Sequence, residues 1–190
     1  MGRVSQAQAQ ENRANVVAAA ARLLRERGTD VSVADMMKAV GLTHGGFYKQ
    51  FDSKEALVAE ATALAFANQE RLRARTEADH DGDHAEARRA LTDWYLSPEH
   101  RDNPGEGCPT AALAVDMARG EPDTAARRVY ADGVRDFAAW IAAEGEGEDE
   151  GGDGGLARLA TMVGALLLAR STEGTELSER FLDAARKAVG

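Results

Sequence analysis

Residues 31–54, VSVADMMKAVGLTHGGFYKQFDSK, decide the fold. Ser32 suits a helix N-cap, and Asp35 three residues later places an acid near the positive end of that helix. Val31 and Met36 occupy the two positions of a hydrophobic staple, while Met36, Met37 and Val40 give the helix an apolar face. Gly41 follows, where a left-handed residue ends a helix at no steric cost. Leu42 returns to the core. Thr43 is placed to cap a second helix, with Phe47 and Phe51 one turn apart on one side and His44, Tyr48 and Lys49 on the others. Two short helices joined by a tight turn form the outline of a helix-turn-helix, whose second helix lies in the major groove of DNA.

Gly45 and Gly46 break a local rule. Each costs a helix roughly 0.5–1 kcal/mol relative to alanine. A functional reason is close approach of the helix start to phosphates or base edges. Ser53 then caps a further helix whose stripe is Leu57, Ala61 and Leu64. Lys54 opens that helix. A cation there opposes the helix dipole unless a phosphate lies nearby.

Residues 14–57 resemble the DNA-binding domain of the tetracycline-repressor (TetR/AcrR) family of bacterial transcriptional regulators. The resemblance rests on Leu23, Leu24, Gly28, Ser32-Val33, Met36, Val40-Gly41-Leu42-Thr43, Gly46-Phe47-Tyr48, Phe51 and Ser53-Lys54-Glu55-Ala56-Leu57. A second likeness, to one branch of the family, runs from Tyr95-Leu96-Ser97 through Gly107-Cys108-Pro109 to Ala111-Ala112-Leu113. Thr43 stands where serine is common, Met37 where alanine is common, and His44 where lysine is most frequent. The last departure bears on which operator is read.

The expected fold is all-α, about nine helices. A three-helix helix-turn-helix domain over 10–56 precedes a larger effector-binding and dimerisation bundle over 57–190. Apolar periodicity predicts helices over 13–26, 54–78, 85–96, 109–118, 122–143, 156–170 and 176–189. The polar half of the 54–78 helix, from Gln69 to Glu77, reads as a partly exposed rod. The stretch 97–107 reads as a loop, and 144–155 as a flexible acidic loop. The 156–170 helix is apolar around more than half its girth: Leu156, Leu159, Met162, Val163, Leu166, Leu167 and Leu168. With Leu177, Phe181, Ala185 and Val189 of the last helix, it offers more apolar surface than one copy hides, so the last two helices are expected to pair with those of a second copy.

On DNA, Ser32, Tyr48, Lys49 and Lys54 are expected to meet phosphates. Thr43, His44 and Gly45 face base edges, Gly46 gives clearance, and Arg3 and Arg13 are N-terminal phosphate partners. The family likeness implies a repressor that binds a palindromic operator as a homodimer. It also implies a small hydrophobic effector bound among the fourth to eighth helices, with binding there shifting the fourth. Phe66, Trp94, Cys108, Met117, Tyr130, Phe137 and Met162 are the candidate effector contacts.

The net charge of −9 is unevenly spread. Residues 1–54 hold eight Lys/Arg and five Asp/Glu, whereas 55–190 hold 15 and 27. The electrostatic footprint of a DNA binder is local, so the positive end carries it. The 190 residues include a single cysteine and no apolar run long enough to span a bilayer. One cysteine allows no intramolecular disulfide, so a reducing cytoplasm is the expected setting; the polar residues 5–12 do not read as a signal peptide, and no cofactor or membrane partner is expected.

Other chemistry is weaker. Cys108, at a helix start, is a candidate electrophile or redox sensor. Cys108 with His100 and Asp116 is the best hydrolase-like set, at arbitrary spacing. No nucleophile elbow, phosphate loop, dinucleotide glycine pattern or metalloprotease helix motif is present, and the expected class is not an enzyme. His80, Asp81, Asp83 and His84 read as a solvated turn rather than a metal site. The acidic run 144–153 lacks the spacing of a calcium loop.

Overall fold

The computed structural model describes residues 6–142 and 153–190, and among these every regular element is a helix. Arg3 and most of the acidic 144–155 segment lie outside the described residues. Helices α1 (Gln6–Arg27), α2 (Val33–Ala39) and α3 (His44–Phe47) form the head. The long α4 (Lys54–Asp79) leads into α5 (His84–Tyr95) and the short α6 (Pro98–Asp102). A 3-10 turn at Pro104–Glu106 precedes α7 (Pro109–Arg119) and α8 (Ala125–Ile141). Helices α9 (Gly154–Ser171) and α10 (Glu176–Val189) close the chain.

Local chemistry sets the head. Ser32 Oγ accepts from Asp35 N at 3.1 Å and donates to the Asp35 carboxylate at 2.7 Å, closing α2 at its start. Val31 and Met36 are both buried, as a staple requires. Gly41 has φ +69, the left-handed geometry that ends the helix. Ser53 Oγ accepts from Ala56 N at 3.1 Å and starts α4.

Two apolar cores result. The first joins α1 to α4 through Val16, Leu24, Met36, Phe47 and Leu57, and also takes in Leu113, Met117 and Ala126 of α7 and α8. The second joins α5, α7, α8, α9 and α10 around Tyr95, Phe137, Met162 and Leu166. The head therefore shares a core with the body rather than hanging from a linker.

The structure departs from the sequence expectation in five places. First, α1 begins at Gln6, not residue 13, because the preceding Gln/Ala/Glu run consists of good helix formers. Second, Thr43 has the extended backbone of an N-cap but its side chain makes no capping bond. Third, 97–107 is not a plain loop. Ser97 Oγ accepts from His100 N at 3.2 Å to start α6, and Pro98 and Pro104 sit in the first turns of α6 and of the 3-10 turn, where proline costs nothing. This brings the described α-helices to ten rather than nine.

Fourth, Pro122 lies in a turn before α8, not inside it. The helix starts instead at Thr124, whose hydroxyl accepts from Arg127 N, and Asp123 turns the chain with φ 63. Fifth, the polar half of α4 is not a simple exposed rod, since Gln69 and Arg73 are buried in the body.

Phe47, fully buried, is the main apolar anchor of the four-residue α3. Phe47→Ala is expected to cost about 3–5 kcal/mol of unfolding free energy. Equilibrium denaturation checks this; a loss below about 1 kcal/mol would show that the helix is held by something else.

Candidate nucleic-acid interface and interior cavity

Thr43, His44, Gly45, Tyr48 and Lys49 form one exposed surface on α3 and the turn after it. Tyr48 is 67% exposed, although its ring leans edge-on against both His44 and Phe47. The opposite side of the element is fixed. Phe47 stacks on Phe51 at 5.4 Å between ring centroids. Arg13 crosses over the Phe51 ring, donates to Gln50 O at 3.3 Å and pairs with Glu60 at 2.5 Å. That guanidinium braces the turn from α1 through the backbone of Gln50.

The two glycines of α3 are not explained from within. Neither has positive φ. A Cβ at Gly45 would meet nothing within 4 Å, and one at Gly46 would make only ordinary contact with Met37 and Thr43, at 3.6 and 3.7 Å. Packing and backbone geometry both admit alanine here, so neither explains the glycines. Ser32 is exposed at the start of α2, and Lys54, half-buried, opens α4. Lys54 also borders a shallow groove with Thr29, Asp116 and Met117.

Helix α1 ties this surface to the body. Arg25 Nε donates to Gly105 O at 2.7 Å, and Asp116 Oδ1 accepts from Thr29 N at 3.1 Å and Thr29 Oγ1 at 2.9 Å. The 3-10 turn thus sits against α1 on one side. On the other it continues into the wall of a cavity of about 390 Å³ lined by residues of α1, α4, α5, the turn and α8.

Trp94, Cys108 and Phe137 line that cavity. Phe66 lies in a separate groove beside Gly133, Met117 in the groove near Lys54, Tyr130 donates to Thr110 O at 2.7 Å, and Met162 is fully buried in the second core. Sequence reasoning overlooked the polar part of the lining: Arg25, Gln69, Arg71 and Arg75. A signal existed. Phe66, Gln69 and Arg73 carry the buried stripe of α4 onward at helical spacing, and polar residues on such a stripe call for a reason.

His100 organises the far wall. Its ring is buried, stacks on Trp94 at 4.5 Å and meets Tyr95 edge-on. Nε2 accepts from Cys108 N at 3.1 Å, so Nδ1 carries the hydrogen and donates to Tyr95 O at 2.7 Å. A Cβ at Gly107 would lie 2.9 Å from His100 Nε2 and 3.0 Å from Arg170, so only glycine passes there. Cys108 Sγ accepts from Gln69 Nε2 at 3.3 Å.

Both nitrogens of His100 are therefore committed to backbone, and Asp116 is committed to Thr29. Cys108, His100 and Asp116 do not assemble as nucleophile, base and orienter. His80 and His84 likewise face separate partners, Thr76 O and the Glu77 carboxylate. The Glu77 carboxylate, also bound by Trp140, is held below its usual range chiefly by the bond with His84.

A model of bacterial regulatory proteins of the tetR family matches residues 16–61. A TetR transcriptional regulator from Chloroflexus aurantiacus is 27% identical over 97% of this chain and 94% of its own, with a TM-score of 0.77. The reduced form of Escherichia coli NemR is 20% identical over 94% and 95%, with a TM-score of 0.76. A TetR-family regulator from Agrobacterium tumefaciens is 20% identical over 95% and 98%, with a TM-score of 0.76. No curated protein sequence matches the chain significantly.

Burial lowers the His100 pKa from 6.5 to about 4, against the opposing bond to Tyr95 O. The unfolded chain binds this proton more readily, so the neutral ring favours the fold above pH 6.5 and loses that advantage as pH falls toward 4. The expected loss by pH 4 is on the order of 3 kcal/mol from this group. An imidazole titration followed by NMR checks it; a midpoint near 6.5 would contradict the buried, doubly bonded ring.

Proposed function

We propose, for a chain that belongs to the tetR family of bacterial regulatory proteins, that it is a cytoplasmic, ligand-responsive repressor that binds a palindromic operator as a homodimer. The observation that carries this reading is the exposed surface of Thr43, His44, Gly45, Tyr48 and Lys49 on a rigid seat, with a glycine that nothing inside the protein requires. Thr43, His44 and Gly45 read base edges. Tyr48, Lys49, Ser32 and Lys54 hold phosphates and set register without choosing sequence.

Pairing is supported by what α9 and α10 leave uncovered. On α9, Leu156, Ala160 and Leu168 are exposed and Gly164 faces open space, at four-residue intervals. On α10, Leu177, Ala184 and Ala188 are exposed and Phe181 is partly so. Leu156, Leu168 and Leu177 remain 52%, 47% and 45% exposed. Two contiguous apolar stripes on adjacent helices make a self-complementary four-helix contact, with Gly164 allowing close approach.

The cavity supplies the responsive part. A ligand changes DNA affinity only if it prefers the arrangement of heads that fails to fit the operator. The 3-10 turn that borders the cavity and grips Arg25 is the shortest physical link between ligand and head. Access disfavours a purely thiol-based response, because Cys108 is 3% exposed and its sulfur is bonded to Gln69. The committed His100 favours a regulator over a Cys108-dependent hydrolase.

Two measurements test the reading. Selection from random duplex DNA is expected to enrich an inverted repeat with half-sites about one helical turn, ~34 Å, apart; failure to enrich any sequence at low salt would overturn it. Gly45→Ala is expected to keep or raise stability by up to about 1 kcal/mol. It should also weaken operator binding at least tenfold in an anisotropy titration. Unchanged affinity would remove Gly45 from the interface.

A further inference from the structure

The cavity is lined with positive charge inside a negative body. Residues 55–190 carry 15 Lys/Arg against 27 Asp/Glu, yet the lining holds Arg25, Arg71 and Arg75 against one carboxylate, Glu106. Arg71 donates to the Asn68 amide at 2.6 Å, and neither it nor Arg75 has a carboxylate at ion-pair distance among the described residues. Arg25 spends Nε on Gly105 O, while its terminal nitrogen stands 3.9 Å from Glu106, itself 68% exposed.

Much of the rest of the wall is apolar: Ala65, Leu91, Trp94 and Phe137. The volume admits a small molecule rather than a polymer.

We propose that this cavity takes a small organic anion, its acid group met by Arg25, Arg71 and Arg75 and its apolar, ring-sized body lying against Trp94 and Phe137. The proposal rests on the reading of the cavity as the ligand site, and it replaces a purely hydrophobic effector with an amphipathic one. Guanidinium groups bind carboxylates and sulfonates through paired N–H donors, and partial burial strengthens the attraction.

This chemistry has a regulatory consequence. Arg25 belongs to α1, so an anion that engages it touches the head directly. The same anion competes with Glu106 for Arg25 and so acts on the turn whose Gly105 carbonyl holds α1 in place. Ligand charge, not only ligand bulk, is therefore felt at the reading surface.

The test uses two probes of the same ring system, 8-anilino-1-naphthalenesulfonate and the neutral N-phenyl-1-naphthylamine. The chain has two tryptophans, so Trp140→Phe leaves Trp94 as the sole reporter in the cavity wall. Quenching of Trp94 is expected to saturate at one probe per chain, with the sulfonate binding at least tenfold more tightly than the neutral probe. The double variant Arg71→Ala/Arg75→Ala, at exposed positions, should cut that preference at least threefold, Arg25 holding the remainder, without a change in melting temperature. Equal or tighter binding of the neutral probe, or a preference untouched by the double variant, would overturn the anionic class while leaving the cavity as a ligand site. No Trp94 response to either probe would overturn the ligand site itself.

Discussion

A helix of four residues cannot stand alone, since its backbone bonds barely repay the ordering of its chain. Everything the head does therefore depends on the burial of Phe47. That ring sits in a core built by α1, α2 and α4, stacks on Phe51, and has Arg13 braced over the stack. The exposed face of α3 is thereby free to be made of residues that are poor for a helix but useful to a partner. Gly45 and Gly46 are tolerated because tertiary packing, not intrinsic propensity, holds the element.

The same economy governs the link to the body. Segment 104–108 is short, yet it touches both α1 and the cavity wall. Gly105 O holds Arg25 of α1, and Cys108 N–H closes on His100 beneath the cavity. Gly107 can pass between His100 and Arg170 only because it lacks a side chain. A cavity whose wall is also the clamp on the head needs no long relay. On the proposed reading, a modest displacement of the turn would change how α1 sits, and with it the angle of the surface formed by α3.

The head was legible in the sequence because its signals are local. Ser32, Gly41, Ser53 and the Phe47/Phe51 pair each act within a few residues, and the spacing of Met36, Met37 and Leu57 follows the helical period. The apolar stripes of the last two helices were legible for the same reason. The polar cavity wall was not, because it is made by contacts distant in the chain: Arg25 meets Gly105 across 80 residues, and Gln69 meets Cys108 across 39. Composition alone also hid α6, whose proline and charge content looks like a loop until Ser97 is seen to cap it. Phe66 and Met162 show the limit from the other side, since residue type marks an apolar interior but does not separate core from cavity.

Whether α3 meets DNA is decided by following the backbone amides by NMR as a selected operator duplex is added to the full chain at low salt. If a Phe47-seated helix is what meets DNA, the resonances of Thr43 to Lys49, with Ser32 and Lys54, shift or broaden first, while amides along the cavity-facing side of α5 stay put. Perturbations that gather elsewhere and spare the Thr43–Lys49 surface would contradict the account.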